Sequence, residues 1–336
     1  MRVAVCANRR GAPAPPGAAG AFDAEWDAPS TVDAVAAALG RRHEVVGIVE
    51  GDDRAPEEFR RLRPAVVFNM AEGAGGRSRE GRIPAVLELL GIPYTGSDPV
   101  TLGLGLDKAL THLVAAAAGV PVPASVVVRE GTAAPDFPLP AVVKPVHEGS
   151  GIGVRESSLV RDRASLRREV RRVHAEHREP AQVEEFLPGR EFTVALLGNA
   201  PRPRVLPTVE ILLESLPAGV PRLYGYEAKW VYDTPDGALD IHRCPARMSP
   251  ALRRAVMDGS LRTFAALGCR DWCRIDWRCD AKGRPRLLEA NPLPGIIPEP
   301  EAHSCFPAAA RAAGMSFDDL VLAVLDAALA RLGLAP

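Results

Sequence analysis

Residues 271–295 read DWCRIDWRCDAKGRPRLLEANPLPG, and the fold of the chain is argued outward from them. Side chains alternate with period two along a strand. Arg274 and Asp276 therefore share a face with Trp272, while Cys273, Ile275 and Trp277 point the other way. The same rule puts Glu289 and Asn291 together on the second run, RLLEAN. Between the runs lie Asp280, Lys282, Gly283 and Pro285, which are turn chemistry, so the two runs are expected to form an antiparallel hairpin. Two carboxylates, an amide and a guanidinium then meet on one surface. Hard oxygen donors this few in number suit Mg2+ that is also held by substrate phosphates. An edge hairpin with a solvated charged face fits the hairpin by itself equally well.

Composition narrows the choice. The 336 residues carry a formal net charge of −1, are 47% hydrophobic and 25% charged, and match an ordinary globular protein of two or three lobes. That balance argues against a nucleic-acid or membrane surface as the main partner. No apolar run reaches the length of a membrane span. The opening MRVAVCANRR reads as a first strand rather than a signal peptide, so the expected location is cytoplasmic. The six cysteines contain no CxxC pair and are expected to be reduced, mostly buried thiols.

Upstream, RVAVCA, HEVVGIVE and PAVVFNM are apolar strands alternating with the helical TVDAVAAALG and EEFRRLR, the pattern of a parallel, doubly wound sheet. Ligands of such sheets gather at the carboxyl ends of the strands. The loops 8–30 and 69–81 leave those ends, and the second packs Glu72, Arg77, Arg79 and Glu80 among glycines. A solvated flexible loop is the alternative there. IPAVLELLG is a helix closed by Gly91, and a long alanine-rich helix is expected from near Asp98 through Lys108. PAVVK is a buried strand ending in Lys144, before a loop with Gly149, Ser150, Gly151 and Gly153, where backbone N–H groups and an ammonium can surround an anion. RASLRREVRRVHAEHREP is a solvated basic helix, and AQVEEFLPGREFTVALLG reads as strand, turn at PGR, strand, in antiparallel pairing. The polar, aromatic YGYEAKWVYDTPDG suits a mobile loop over a site. Helices over 250–267 and along SFDDLVLAVLDAALARLG flank the hairpin.

Taken together, IPYTGSDPVTLGLGLDK, VVKPVHEGSGIGV, VEEFLPGREFTVALLG, YEAKW and GCRDWCRIDW…LLEANPLPG resemble the D-alanine:D-alanine ligases of the ATP-grasp superfamily, from about residue 84 to the end. The resemblance implies an α/β and α+β molecule: an amino-terminal doubly wound α/β domain (1–103), a central ATP-grasp lobe (104–186) and a carboxy-terminal lobe with the metal site (187–336). It implies ATP and two Mg2+ ions, which Mn2+ could replace. Lys108 and Lys144 correspond to phosphate-contacting lysines, and Glu148, Gly149, Ser150 and Gly151 to a phosphate-covering loop. Glu184, Glu185 and Leu187 fall where adenine is held and Glu191 where the ribose is bound. Asp276, Glu289 and Asn291 match the metal ligands, with Glu289 shared. Arg274, Lys229 and Ser150 take catalytic positions, Arg274 as the stabiliser of a tetrahedral intermediate; Gly295 and Ser304 lie near the second substrate's carboxylate.

The departures from the family cluster at the amino-acid pockets. The glycine-rich turn and Ser-x-Glu that hold the first substrate's amino group are missing from CANRRGAPAPPGAAGAFDAEWDAPS, which leaves Glu25 or Asp27 to act by another path. Trp230 stands where the family has a lid tyrosine, and a tryptophan donates but cannot accept a hydrogen bond. NMAEGAGGRSREG, with Glu72 and Arg79, replaces a His-Gly loop, and PGIIPEPEAHS is longer than its equivalent. The expected activity is an ATP-dependent carboxylate–amine ligase working through an acyl phosphate, either on D-alanine or on other amino acids or small biosynthetic acids. A non-catalytic ATP-binding protein is the contrasting class. Expected partners are amino-acid-like small molecules and a second copy of the chain, with neither nucleic acid nor membrane.

Overall fold

The computed structural model describes residues 1–12, 23, 25–232 and 239–335. Strands β1 (Arg2–Ala7), β2 (Glu44–Glu50) and β3 (Val66–Met70) form a parallel sheet in the order β2-β1-β3, with helices α1 (Pro29–Gly40) and α2 (Ala55–Leu62) as the crossovers. The residues of β1 supply two cores. Val3, Val5 and Ala7 pack with Val32, Val35 and Leu39 of α1, whereas Ala4 and Cys6 pack with Phe59 of α2 and Leu87 of α3 (Arg82–Leu90). Both faces are covered, and the doubly wound reading holds. Helix α3 ends at Gly91, whose φ of 66° is the left-handed cap that favours glycine.

The long alanine-rich helix expected from Asp98 is two helices, α4 (Pro99–Leu106) and α5 (Lys108–Ala117), bent by 104° at Asp107. Each has its own cap: Asp98 accepts from Thr101 N and Asp107 from Leu110 N. A methyl on Gly105 would lie 2.7 Å from Pro292 Cγ, so only glycine lets α4 pass this close to the end of the hairpin. The break starts α5 at Lys108 and turns its side chain into the cleft. No single described helix is long and apolar enough to cross a membrane.

The chain continues through β4 (Ser125–Val128), β5 (Ala141–Pro145), β6 (Leu159–Val160), α6 (Arg163–His177) and β7 (Ala181–Glu185). These strands make an antiparallel sheet, β4-β7-β5-β6, with Leu166, Val170 and Val173 of α6 packed on Val143 and Val183. The final sheet has the order β11-β10-β8-β12-β13, built from β8 (Glu191–Leu197), β10 (Val209–Ile211), β11 (His242–Arg243), β12 (Trp272–Cys279) and β13 (Pro285–Asn291), with β9 (Arg204–Val205) beside β8. Strands β7 and β8, expected as neighbours across the PGR turn, lie in different sheets. The 186–190 segment is a crossing between lobes, because β7 completes its ladders with β4 and β5 while β8 pairs with β10 and β12.

Strands β12 and β13 pair antiparallel as expected, and their two faces part as the period requires. Trp272 joins Phe68 and Phe306 in one core, with edge-on rings 5.8 and 5.9 Å apart, and Cys273, Ile275 and Trp277 enter another under α7 (Pro250–Leu267). Asp276 pairs with Glu289 and Trp277 with Leu287, so Leu288 is an extra residue. That bulge lets Leu287 join Trp277 in the core while Glu289 keeps the cleft side. The chain ends in α8 (Cys305–Ala312) and α9 (Phe317–Leu332), the second capped by Ser316. The six cysteines carry free thiols.

One consequence for stability concerns Gly259 of α7. A methyl at this position would collide with the Trp277 ring, whose indole N–H donates to Ser260 Oγ at 2.9 Å. Overpacking costs about 1–3 kcal/mol, against about 1 kcal/mol gained by alanine in a helix. Gly259→Ala is expected to lower the midpoint of urea unfolding; an unchanged or higher midpoint would show that α7 shifts freely away from the hairpin.

Candidate functional site

A cleft of about 660 Å3 lies between the three sheets, and the hairpin forms its floor. Asp276 stands opposite Glu289, and Arg274 opposite Asn291. Arg274 donates from Nε and Nη2 to Asp276 at 3.0–3.2 Å and lies 3.8 Å from Glu289. Asn291 Nδ2 donates to Asp276 at 3.2 Å, and Thr193 Oγ1 of β8 donates to the other oxygen. The two carboxylates titrate in opposite directions. Burial pushes Asp276 up despite Arg274. Burial pushes Glu289 up as well, but Lys108, then Lys229, Arg274 and Lys144, outweigh it and hold the carboxyl at about 2.

This donor set can be tested against the metal. Among the described residues no group of three or more His, Cys, Asp or Glu could hold an ion. Two carboxylates and an amide amid four cations are what Mg2+ needs when phosphate oxygens supply the rest of its shell. The residues fit the group.

Above the hairpin, Lys108 is 6% exposed, donates to the carbonyl of Glu148 and lies 3.9 Å from Glu289. Burial pushes its ammonium down from the usual value, against Glu289. Lys144, at the end of β5, pairs with Glu184 at 2.9 Å. The 148–153 loop needs left-handed backbone at Ser150, Gly151 and Gly153, with φ of 50°, 77° and 74°. It abuts the 225–226 segment, where Tyr226 N donates to Val154 O at 2.8 Å, and so the loop roofs the cleft.

Glu185, Leu187 and Glu191 line the far end. Glu184 lines it too, but its carboxylate is engaged by Lys144 and by Gln182 Nε2 at 2.9 Å. Glu191 pairs with Arg278 at 3.0 Å, and Arg278 lies over the Phe186 ring at 5.4 Å. Burial pushes Glu191 up, with Arg278 opposing. Gly295 and Ser304 lie at another corner, where Ser304 Oγ accepts from Ile297 N at 3.2 Å. Beside them Cys305 Sγ is 3.7 Å from His242, a pair no sequence pattern pointed to.

The loops after β1 and β3 meet on the amino-terminal wall, where Glu25, Asp27, Glu72 and Glu80 line the cleft. Arg79 does not line it. It is 4% exposed behind the wall, held by Glu25 at 2.5 Å and by the carbonyl of His147 at 2.8 Å. Lys229 borders the cleft, its ammonium 4.9 Å above the Tyr224 ring. The Trp230 side chain and residues 233–238 of the expected lid lie outside the described residues.

Sequence reasoning passed over Arg278, Thr193 and the isolation of Glu80. Arg278 was within reach, because it has the same parity as Arg274 and Asp276 on β12. Thr193 shares parity with Glu191 on β8 but carries no charge to draw notice.

A family model described as the D-ala D-ala ligase C-terminus matches residues 117–326. A D-alanine–D-alanine ligase of Bordetella pertussis is 38% identical over 255 residues, 75% of each chain. That of Chromohalobacter salexigens is 40% identical over 278 residues, 79% of this chain and 78% of the relative. A protein of Sinorhizobium fredii, y4sG, is 36% identical over 312 residues, 90% of this chain and 88% of its own. Among solved structures, a D-alanine–D-alanine ligase of Bacillus anthracis superposes with a TM-score of 0.76 at 23% identity, covering 98% of both chains. The VanG D-Ala:D-Ser ligase of Enterococcus faecalis does so at 0.70 and 19%, covering 97% of this chain and 99% of its own. At these identities the structures speak for the shared fold.

Proposed function

The chain belongs to the D-alanine–D-alanine ligase family of ATP-grasp enzymes and is an ATP-dependent, ADP-forming ligase; from that premise we propose that its cleft activates one amino acid's carboxylate as an acyl phosphate and passes the acyl group to the amine of a second. The observation that carries this reading is the hairpin floor, with Asp276 opposite Glu289 and Arg274 opposite Asn291, under two lysines and a glycine loop.

Asp276, Glu289 and Asn291 would hold Mg2+, which when bound neutralises phosphate charge. Lys108, Lys144 and the N–H groups of 149–151 bind and orient the phosphates, so the first substrate's carboxylate oxygen is aligned on the γ-phosphorus as the bond to ADP breaks. The Arg274 guanidinium is already oriented by Asp276, and it donates to the oxyanion formed when the amine attacks the acyl carbon. Phosphate then leaves with the electron pair of its C–O bond. The 148–153 loop and Lys229 exclude water from the acyl phosphate. No nucleophilic side chain is required.

D-Alanine is expected to be a poor first substrate, because the family's acceptor for its ammonium has no counterpart here. The test is ADP release by the purified protein with Mg-ATP and paired amino-acid pools, with products identified by mass spectrometry. Amide formation that needs both ATP and two amino acids is the expected result. ADP release that no amino acid stimulates would overturn the reading.

A further inference from the structure

The amino-terminal wall of the cleft holds more carboxyl groups than one amino acid's ammonium can engage. The chain as a whole is nearly neutral at −1, so this concentration is local. Among the described residues, only Glu25 of the four carboxylates has an ion-pair partner, Arg79. That guanidinium is held by Glu25 and the His147 carbonyl, with Glu148 a further 3.8 Å contact. Asp27, Glu72 and Glu80 accept no side-chain hydrogen bond and make no ion pair with any described residue. Arg79 acts on Glu72 and Glu80, Lys108 on Glu80 and Arg10 on Asp27 through charge, and Lys108 is held by Glu148 O and Glu289.

Glu80 is the decisive member. It is 9% exposed, faces the cleft and has no ion-pair or hydrogen-bond partner among the described residues. Leaving a buried carboxylate unpaired is costly, and its pKa responds: burial pushes Glu80 up to about 8 and Asp27 to about 7, and Glu72 rises for the same reason. Such a wall lacks a cation. Among the described residues these acids form no group of three or more that could hold a metal ion. Carboxyl groups beyond what one ammonium can engage suit an organic molecule with two cationic groups. Position assigns it to the first substrate: a methyl on Gly149 would collide with the Glu25 carboxylate, so this wall adjoins the phosphate loop.

We propose that the first substrate is an amino acid with a second cationic group, such as an α,ω-diamino acid, held through both cations by Asp27, Glu72 and Glu80. This rests on the ligase reading above. The side-chain ammonium remains protonated and does not react, and the carboxylate alone is activated, so the product is an amide with a free side-chain amine.

The test measures ADP release by the full chain with Mg-ATP and a fixed pool of second amino acids. First substrates are ornithine, lysine and 2,3-diaminopropionate in both chiral forms, against alanine and norvaline. Charge-assisted hydrogen bonds are worth roughly tenfold or more each. The expected result is a kcat/KM for at least one diamino acid about tenfold or more above norvaline. Glu80→Gln should remove most of that margin, and Glu80→Lys, which supplies the cation from the protein, should shift preference to norvaline. A purely structural Glu80 would not reverse the preference. Wild-type protein that uses norvaline or alanine as well as any diamino acid overturns the inference and leaves the ligase reading standing, even if the variants fail to fold. Absence of amino-acid-stimulated ADP release overturns both.

Discussion

Glu289→Gln is expected to lower kcat by about 10²–10³-fold, as for loss of a group that meets charge developing in the transition state, while the dissociation constant for ATP changes by only a few-fold. Glu289 touches both halves of the site. It lies 3.9 Å from Lys108 and 3.8 Å from Arg274, opposite Asp276 across the hairpin. The cations around it, Lys108 first, override the upward push of burial, and its carboxyl is ionised at every working pH. Glutamine keeps the shape and one acceptor but removes the charge. Leu187 and Glu185, the residues proposed to hold the adenine, line the cleft but are not among the ion-pair partners of Glu289, so nucleotide should still bind. Asp276→Asn should behave similarly and also release Arg274 from its bidentate partner. The measurements are ADP release at saturating Mg2+ and equilibrium titration with ATP. Near wild-type turnover in either variant would mean that the hairpin carboxylates are not the metal ligands.

The second large effect is on stability. Arg278→Met is expected to destabilise the protein by about 3–5 kcal/mol, the cost of breaking a buried pair by removing one partner. Arg278 and Glu191 have side chains only 5% and 10% exposed and meet at 3.0 Å. The second Arg278 nitrogen donates to the Arg222 carbonyl, and the guanidinium lies over Phe186. Without the arginine, Glu191 is left buried with a carboxylate that burial already pushes toward protonation. The double variant Arg278→Met, Glu191→Gln should recover much of the loss, because the uncompensated charge is gone. Urea unfolding of the wild type, both single variants and the double variant gives the coupling. A single variant as stable as the wild type would show that water reaches this pair. If Glu191 also binds the ribose, both single variants should raise the KM for ATP.

How far the sequence reached follows from the range of the forces involved. Alternation along a strand and the chemistry of a tight turn are local, and from them alone Arg274, Asp276, Glu289 and Asn291 come to one face with Trp272. Helix ends are equally local, as the Gly91 stop and the Ser316 cap illustrate. The parallel amino-terminal sheet was legible because apolar strands alternate with helices.

The rest depended on which faces meet. Local pattern marks Asp98 and Asp107 as two possible caps, but the packing of Gly105 against Pro292 is what turns the chain between them. Strands β7 and β8 look like a hairpin in one dimension, and they part because each finds better ladders in a different sheet. Arg79 reads as a side chain free to meet a substrate, yet it is taken up by Glu25, 54 residues earlier. Arg278 meets Glu191 across 87 residues, and Lys144 meets Glu184 across 40. A buried charge must find an opposite charge, and sequence shows the need without showing which residue fills it. For Asp27, Glu72 and Glu80 the tertiary structure shows that no described residue does, and that is what points to the substrate.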